Sequence, residues 1–467
     1  MRILGNHPPT SEQLRIVSDN QPGVALVKGA AGSGKTTTAL LRLHQLCSLR
    51  LHRRDRLGHN QAVRVLVLTY NRTLEGYIRE LAQQQVTGRA GLHLEISTFG
   101  RWANELAGHP TLCDYDKSRQ LLTPLLTGIP RPKDFLIEEV NYVLDRFPPD
   151  RLAEYLTTQR NGRGLAPRVE TPLRRRLLDE VIGPYTAAKA QREILDWNDI
   201  ALAAANAPQQ PLWDVIIIDE AQDFSANQVR TVLRHLDPLG SLTFVMDAIQ
   251  RIYPRYFTWK EVGVIIDPAR NYTLKANHRN TREIAAFARS LVAGLPKDDD
   301  GSLPNFDACN RSGTKPVVFV GKYSHQVGGM ISRLVRTVDL ATESVAFLHP
   351  KGGGWFSYLR DHLYKAEIPF VELSRSSTWP TGPEAVALST LHSAKGLEFD
   401  HVLMPGLNAE VTPHGAEPGD GQEEALRRLI AMGIGRARKS VMLGYKQGEA
   451  SGIMQHLDPA TYELVSL

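Results

Sequence analysis

The stretch from Gly29 to Thr36, GAAGSGKT, fits GxxxxGK[ST] at every fixed position, and no other feature of the chain restricts its fold as tightly. The pattern works only where a strand runs into a helix. The apolar run VALVK precedes it, and TTTALLRLHQLCSL, with apolar residues at i, i+3 and i+4, follows it. In that setting Gly29, Ala30, Ala31, Gly32, Ser33 and Gly34 turn backbone N–H groups around phosphate oxygens, and the helix N-terminus adds its positive end. Lys35 is expected to reach the β- and γ-phosphates and the Thr36 hydroxyl to bind Mg²⁺.

Such a site needs a second carboxylate for the metal and a base to orient the attacking water. About 180 residues downstream, DVIIIDEAQDF (Asp214 to Phe224) supplies both on the end of an apolar strand. Asp219 is placed for the metal and Glu220 for the water.

A chain of 467 residues exceeds the usual size of one core, so two or three domains are expected. Apolar runs rich in β-branched residues recur (VALVK, VRVLVLTY, LHLEIST, VIIID and LTFVMD), and a second set follows residue 310 (PVVFV, SVAFLHP, IPFVEL, VALSTLH, HVLMPGL and SVMLGY). Apolar on both faces and alternating with helical patterns, they predict buried parallel strands in two α/β lobes. Residues 105–211 carry helical patterns and few strand signals, so they read as a mainly helical insertion in the first lobe, made of 1–104 and 212–278; residues 279–467 form the second lobe. The basic cluster RLHRRDR from Arg50 reads as a solvated loop between helix and strand.

Charged residues make up 22% and net charge is +5, spread along the chain, which is compatible with a polyanionic partner. Cys47, Cys113 and Cys309 are far apart and form no CxxC pair, so the pattern suggests neither a zinc site nor a disulfide framework, and a cytoplasmic setting is expected. No apolar run approaches the ~20 residues needed to cross a bilayer, and no membrane partner is expected.

The blocks GAAGSGKT, DEAQD, MDAIQRIY, LKANHRN, STLHSAKGLEF and MGIGRAR, taken in order, resemble the superfamily 1 helicases of the UvrD/Rep type over Gln13 to Arg438. That resemblance implies two RecA-like lobes with parallel sheets sharing one ATP with Mg²⁺, and single-stranded DNA crossing both. RNA stays open as an alternative strand. It implies that Gln250 senses the γ-phosphate, that Arg279 and Arg436 reach it from the other side of the cleft, and that Glu398 contacts the ribose. Gln13 resembles the glutamine that reads adenine; with Thr10 it also makes a capping box, and both readings are open. His278 stands where the family carries a tyrosine and keeps a ring that can stack, and Thr37 stands where an arginine is typical. Gly435 replaces a threonine before Arg436, and with Gly433 it is expected to loosen the helix carrying that arginine.

For the strand, motif position singles out Tyr70, Phe99 and Tyr253 as stacking rings and Arg72, Thr98, His392 and Lys395 as backbone contacts; Phe99 reads equally as core. Only 111 positions separate Arg279 from Thr390, so the large second-lobe insertion of the family is missing or reduced. The expectation is an ATP-dependent single-stranded DNA translocase or helicase, moving 3′ to 5′ as the family does. The alternative is an ATP-driven remodelling or regulatory subunit of a larger complex, in phage defence or on RNA polymerase, that moves a protein partner.

Overall fold

The computed structural model of the chain describes residues 9–29, 32–69, 75–76, 78–79, 91–160, 168–207, 211–246, 257–275, 279–295, 309, 311–373, 379–380, 382–394, 397–410, 422–450 and 452–467. Two parallel sheets organise it. The first holds β1 (Gly23–Gly29), β2 (Val63–Thr69), β3 (Leu92–Thr98), β4 (Trp213–Ile218), β5 (Leu236–Met246) and β6 (Asn271–Leu274) in the order β3-β2-β4-β5-β1-β6. The second holds β7 (Val317–Val320), β8 (Val345–His349), β9 (Phe370–Glu372), β10 (Val386–Thr390), β11 (Phe399–Met404), β12 (Ala437–Tyr445) and β13 (Glu463–Ser466) in the order β13-β7-β12-β11-β8-β10-β9. This is the expected α/β fold with two RecA-like sheets. The two short edge strands β6 and β13, four residues each, went unpredicted because so short a run carries no periodicity.

The central strands are buried on both sides, as in Val65 to Leu68 and Val215 to Ile218, so β-branched and leucine side chains serve both faces at once. Parallel pairing places every carboxyl end at one edge of its sheet, and ligands of open α/β sheets bind at that edge. The loops after β1 and β4 therefore meet there, separated by β5 alone.

The helix Lys35–Leu57 packs Leu40, Leu43 and Leu46 onto the first sheet, and the same apolar cluster continues through Val65 and Ile217 to Phe287, Phe399 and Met404 of the second lobe. The basic cluster is part of this helix rather than a loop. Its arginines occupy the last turns, where positive charge suits the negative helix end, and Gly58 closes the helix at φ 69°.

Between β3 and β4, the helices Phe99–Leu106 and Trp197–Ala205 pack with the first sheet, whereas residues from Leu122 to Tyr185 enclose an apolar core of their own. Arg146 anchors that unit to the first lobe through a two-pronged pair with Glu261 at 2.7 and 3.0 Å, and Asn227 donates to Leu144 O at 2.8 Å. In the second lobe, β9 and β10 pair in parallel with only residues 373–385 between them, and Trp379 of that connection is buried.

Candidate functional site

The loop after β1 is shaped by two glycines in the left-handed region, Gly32 at φ 81° and Gly34 at φ 79°, which other residues enter only with strain. A Cβ on Gly29 would overlap Ser33 Oγ and sit 3.1 Å from Leu274 O. Gly34 caps the following helix with no side-chain hydrogen bond, which leaves the first N–H groups of a 23-residue helix for a ligand. Ser33 Oγ is buried without a hydrogen-bond partner. An orphaned hydroxyl beside a glycine-shaped cradle is what a phosphate would complete. Lys35 Nζ folds back onto Gly29 O at 2.9 Å, so the cation already lies over the loop.

The acidic tip closes the other side. Thr36 Oγ1 donates to Asp219 Oδ2 at 2.9 Å across 183 residues of sequence, and the Glu220 N–H donates to Asp219 Oδ1 at 3.0 Å. Burial, followed by the neighbouring Glu220 charge, pushes the Asp219 carboxyl up to about 7, and the bonds from Thr36 and the Glu220 amide only partly offset this. A buried acidic pair beside a hydroxyl is a hard-oxygen donor set that suits a divalent cation such as Mg²⁺, whose charge would hold the carboxylate ionised. Glu220 itself takes φ 54° and ψ 43°, an uncommon conformation for a glutamate, and accepts a bond from Gln222 Nε2.

Gln13 lies at the mouth of the loop. Its Oε1 accepts from Thr10 N at 2.9 Å while Thr10 Oγ1 accepts from Gln13 N, so the capping box forms, and Nε2 lies against Gly34. Arg42, fully buried, holds this arrangement. It donates to Ile16 O at 2.8 Å and to Thr243 Oγ1 at 3.1 Å and pairs with Asp19 at 3.4 Å, and Asp19 in turn pairs with Arg270. Burial raises the Asp19 carboxyl, but the bond from Arg270 and the charge of Arg42 bring it below its ordinary value. Arg42 belongs to none of the motif blocks quoted above. An arginine among leucines on the inner face of a helix was the available signal.

The second lobe contributes charged side chains. Arg279 pairs with Glu398 and donates through Nη1 to Gly435 O at 3.2 Å, while Arg436 is buried and its Nε lies 3.2 Å from Met432 Sδ. The helix Gln422–Ile434 ends before Gly435, so the two glycines do not share its interior as expected. Gly433 serves close packing instead, since a Cβ there would overlap Leu391 Cδ2.

The profile of the UvrD/REP helicase N-terminal domain matches residues 10–256, more than half of the chain, and that of the UvrD-like helicase C-terminal domain matches residues 366–448. The chain belongs to the UvrD/REP helicase family. Members of this UvrD/REP family are ATP-hydrolysing enzymes. The ATP-dependent DNA helicase UvrD2 of Mycobacterium tuberculosis is 22% identical over 581 residues, covering 94% of this chain and 79% of that one. DNA helicase II of Haemophilus influenzae is 33% identical over 118 residues, 25% of this chain and 15% of the other. The PcrA helicase of Bacillus subtilis is 38% identical over 90 residues, 19% and 12% of the two chains. The UvrD2 match spans more positions than the 467 residues of this chain, so the relative carries stretches absent here.

Of the UvrD/REP candidates for the nucleic-acid track, Thr98 ends β3 at the carboxyl edge, and its hydroxyl caps the next helix by accepting from Arg101 N at 3.3 Å. Phe99 requires a correction. It is buried and meets Trp102 and Phe224 edge to face, because Phe99, Trp102 and Ala103 form the inward face of their helix, and it presents no ring to a strand. His392 is exposed in the turn after β10, at the carboxyl edge of the second sheet. Thr37 lies in the first turn of the loop helix. Ala30, Ala31, Tyr70, Arg72, Gln250, Tyr253, His278 and Lys395 lie outside the described residues. Among the described residues, no helix is long and apolar enough to cross a membrane.

Proposed function

We propose that this helicase-family chain hydrolyses ATP between its two lobes and uses the cycle to move 3′ to 5′ along single-stranded DNA in the cytoplasm. The observation that carries this reading is the 2.9 Å contact between Thr36 and Asp219, which brings the phosphate loop and the acidic strand to one point at the carboxyl edge of the first sheet. The lobes we assign are 1–104 with 212–278, carrying the helical unit 105–211, and 279–467.

In this scheme the loop from Gly29 to Thr36 wraps the phosphates and Lys35 neutralises them. Thr36 and Asp219 are the residues that would hold Mg²⁺, which would supply positive charge to the phosphates when bound. Glu220 accepts a proton from the attacking water as it orients it. Arg279 and Arg436 stabilise charge on the transferred phosphoryl group, and Gln250 registers its loss. Gln13 and His278 take the base and Glu398 the ribose. Tyr70, Tyr253, Arg72, Thr98, His392 and Lys395 line the strand.

Steady-state ATP hydrolysis with and without single-stranded DNA, with Glu220→Gln as the blank, tests the coupling. Strong stimulation lost in the variant is the expected outcome, followed by faster displacement of a block at the 5′ end than at the 3′ end. The 13-residue connection 373–385 favours a second reading, in which nucleotide closure moves a protein or RNA partner without processive unwinding. Hydrolysis indifferent to DNA but stimulated by such a partner would select it.

A further inference from the structure

Glu398 immediately precedes β11 and Arg436 immediately precedes β12, and the two strand starts are joined by Phe399 N donating to Arg436 O at 3.0 Å. Arg279 arrives from the first sheet and is docked onto this corner. Asn280 Nδ2 donates to Gly435 O at 3.2 Å and Ala437 O at 2.6 Å, Arg279 Nη1 donates to Gly435 O, and Arg279 Nη2 pairs with Glu398. The guanidinium is 9% exposed and the carboxylate 26%.

One carboxylate thus faces several cations. Burial raises the Glu398 carboxyl, yet the charge and hydrogen bond of Arg279, then Arg438 and Arg436, bring it below its ordinary value. Two largely buried guanidiniums near one corner need a counter-charge, because like charges withdrawn from water repel strongly. A polyphosphate would bring charge of the same sign as Glu398 to the same arginine.

We infer that Glu398 is a positioning residue, the resident counter-ion that holds Arg279 against Gly435 until the polyphosphate of the nucleotide takes over the guanidinium. This rests on the reading of Arg279 as a phosphate contact. It assigns Glu398 a task separate from any contact with the ribose, and the two tasks part on a ligand that has no ribose.

The test is the affinity of the full chain for Mg²⁺-tripolyphosphate and for ATP, by titration calorimetry, in the native protein, Glu398→Gln, Arg279→Gln and the double variant. Loss of the competing carboxylate is expected to tighten tripolyphosphate binding by roughly three- to tenfold, and the gain should vanish in the Arg279→Gln background. Unchanged tripolyphosphate affinity with weakened ATP binding would overturn the inference in favour of a ribose contact alone. Weakened binding of both would reduce Glu398 to a structural support and overturn it equally. Glu398→Asp, which keeps the charge but shortens its reach, should give an intermediate gain and serves if the Gln variant does not fold. Lys35→Ala separates the two levels. If it leaves tripolyphosphate binding intact, the nucleotide site is misassigned, whereas a loss there with no Glu398 effect sinks the counter-ion alone.

Discussion

The two halves of the nucleotide cleft are built differently. The first-lobe half is made of backbone and short side chains: glycines at positive φ, a helix N-terminus, Thr36 on Asp219 and a lysine folded onto its own loop. The second-lobe half is made of long charged side chains: Arg279 paired with Glu398, and Arg436, whose charge also acts on Glu398. A half whose cradle is set by backbone geometry needs little rearrangement to meet its ligand. A half held by an exchangeable ion pair can respond to one.

The sharpest way to break this contrast is Lys35→Ala, which removes the cation that lies over the phosphate loop. ATP turnover should fall by about a thousandfold, the scale for losing a preorganised charge at a phosphoryl group, with circular dichroism unchanged. Turnover within tenfold of native would show that the loop is not the phosphate site.

Arg436→Lys probes the other half. Keeping the charge but losing the planar fork should lower kcat by about a hundredfold while ATP binding by the preformed loop changes only a few-fold. Equal losses in kcat and in ATP affinity would mean that the second lobe helps to build the ground-state site, and the contrast between the halves would disappear.

Both halves differ in how they could be read. Every part of the phosphate loop is contiguous, and strands such as VIIID announce themselves because burial on both faces demands β-branched side chains in a row. The Arg279–Glu398 pair spans 119 residues of sequence and follows from no local pattern. Phe99 shows the limit of residue type, since an aromatic at a strand end suits a stacking platform and a core equally, and only its spacing to Trp102 and Ala103 separated them. Gly433 shows the same for glycine. Helix propensity predicts looseness at that position, but what decides it is Leu391 lying where a side chain would go.

That difference is measurable at Gly433. If the glycine merely loosened the helix, Gly433→Ala would stabilise the protein by about 1 kcal/mol. Overlap with Leu391, in a layer that also holds Met404, predicts the opposite sign, a loss of about 1–3 kcal/mol in denaturant unfolding. A lowered kcat without a stability change would instead place the effect on Arg436, three residues on.

The smallest effect is expected far from the carboxyl edge, at the basic end of the helix Lys35–Leu57. Arg50 pairs with Asp214 at 3.2 Å and donates to Leu239 O at 2.6 Å, and Arg54 donates to Gly91 O at 2.8 Å, so these cations already have protein partners. Replacing Arg50 and Arg54 together by alanine should cost stability on the order of 1 kcal/mol, the sum of partly exposed pairs and lost helix-end charge. Single-stranded DNA binding should weaken by less than about twofold, with the salt dependence of its affinity unchanged, because cations held by the protein release no counterions from a strand. A salt slope reduced by about 1 would show these arginines on phosphates. The strand would then be held at both edges of the first sheet rather than along its carboxyl edge.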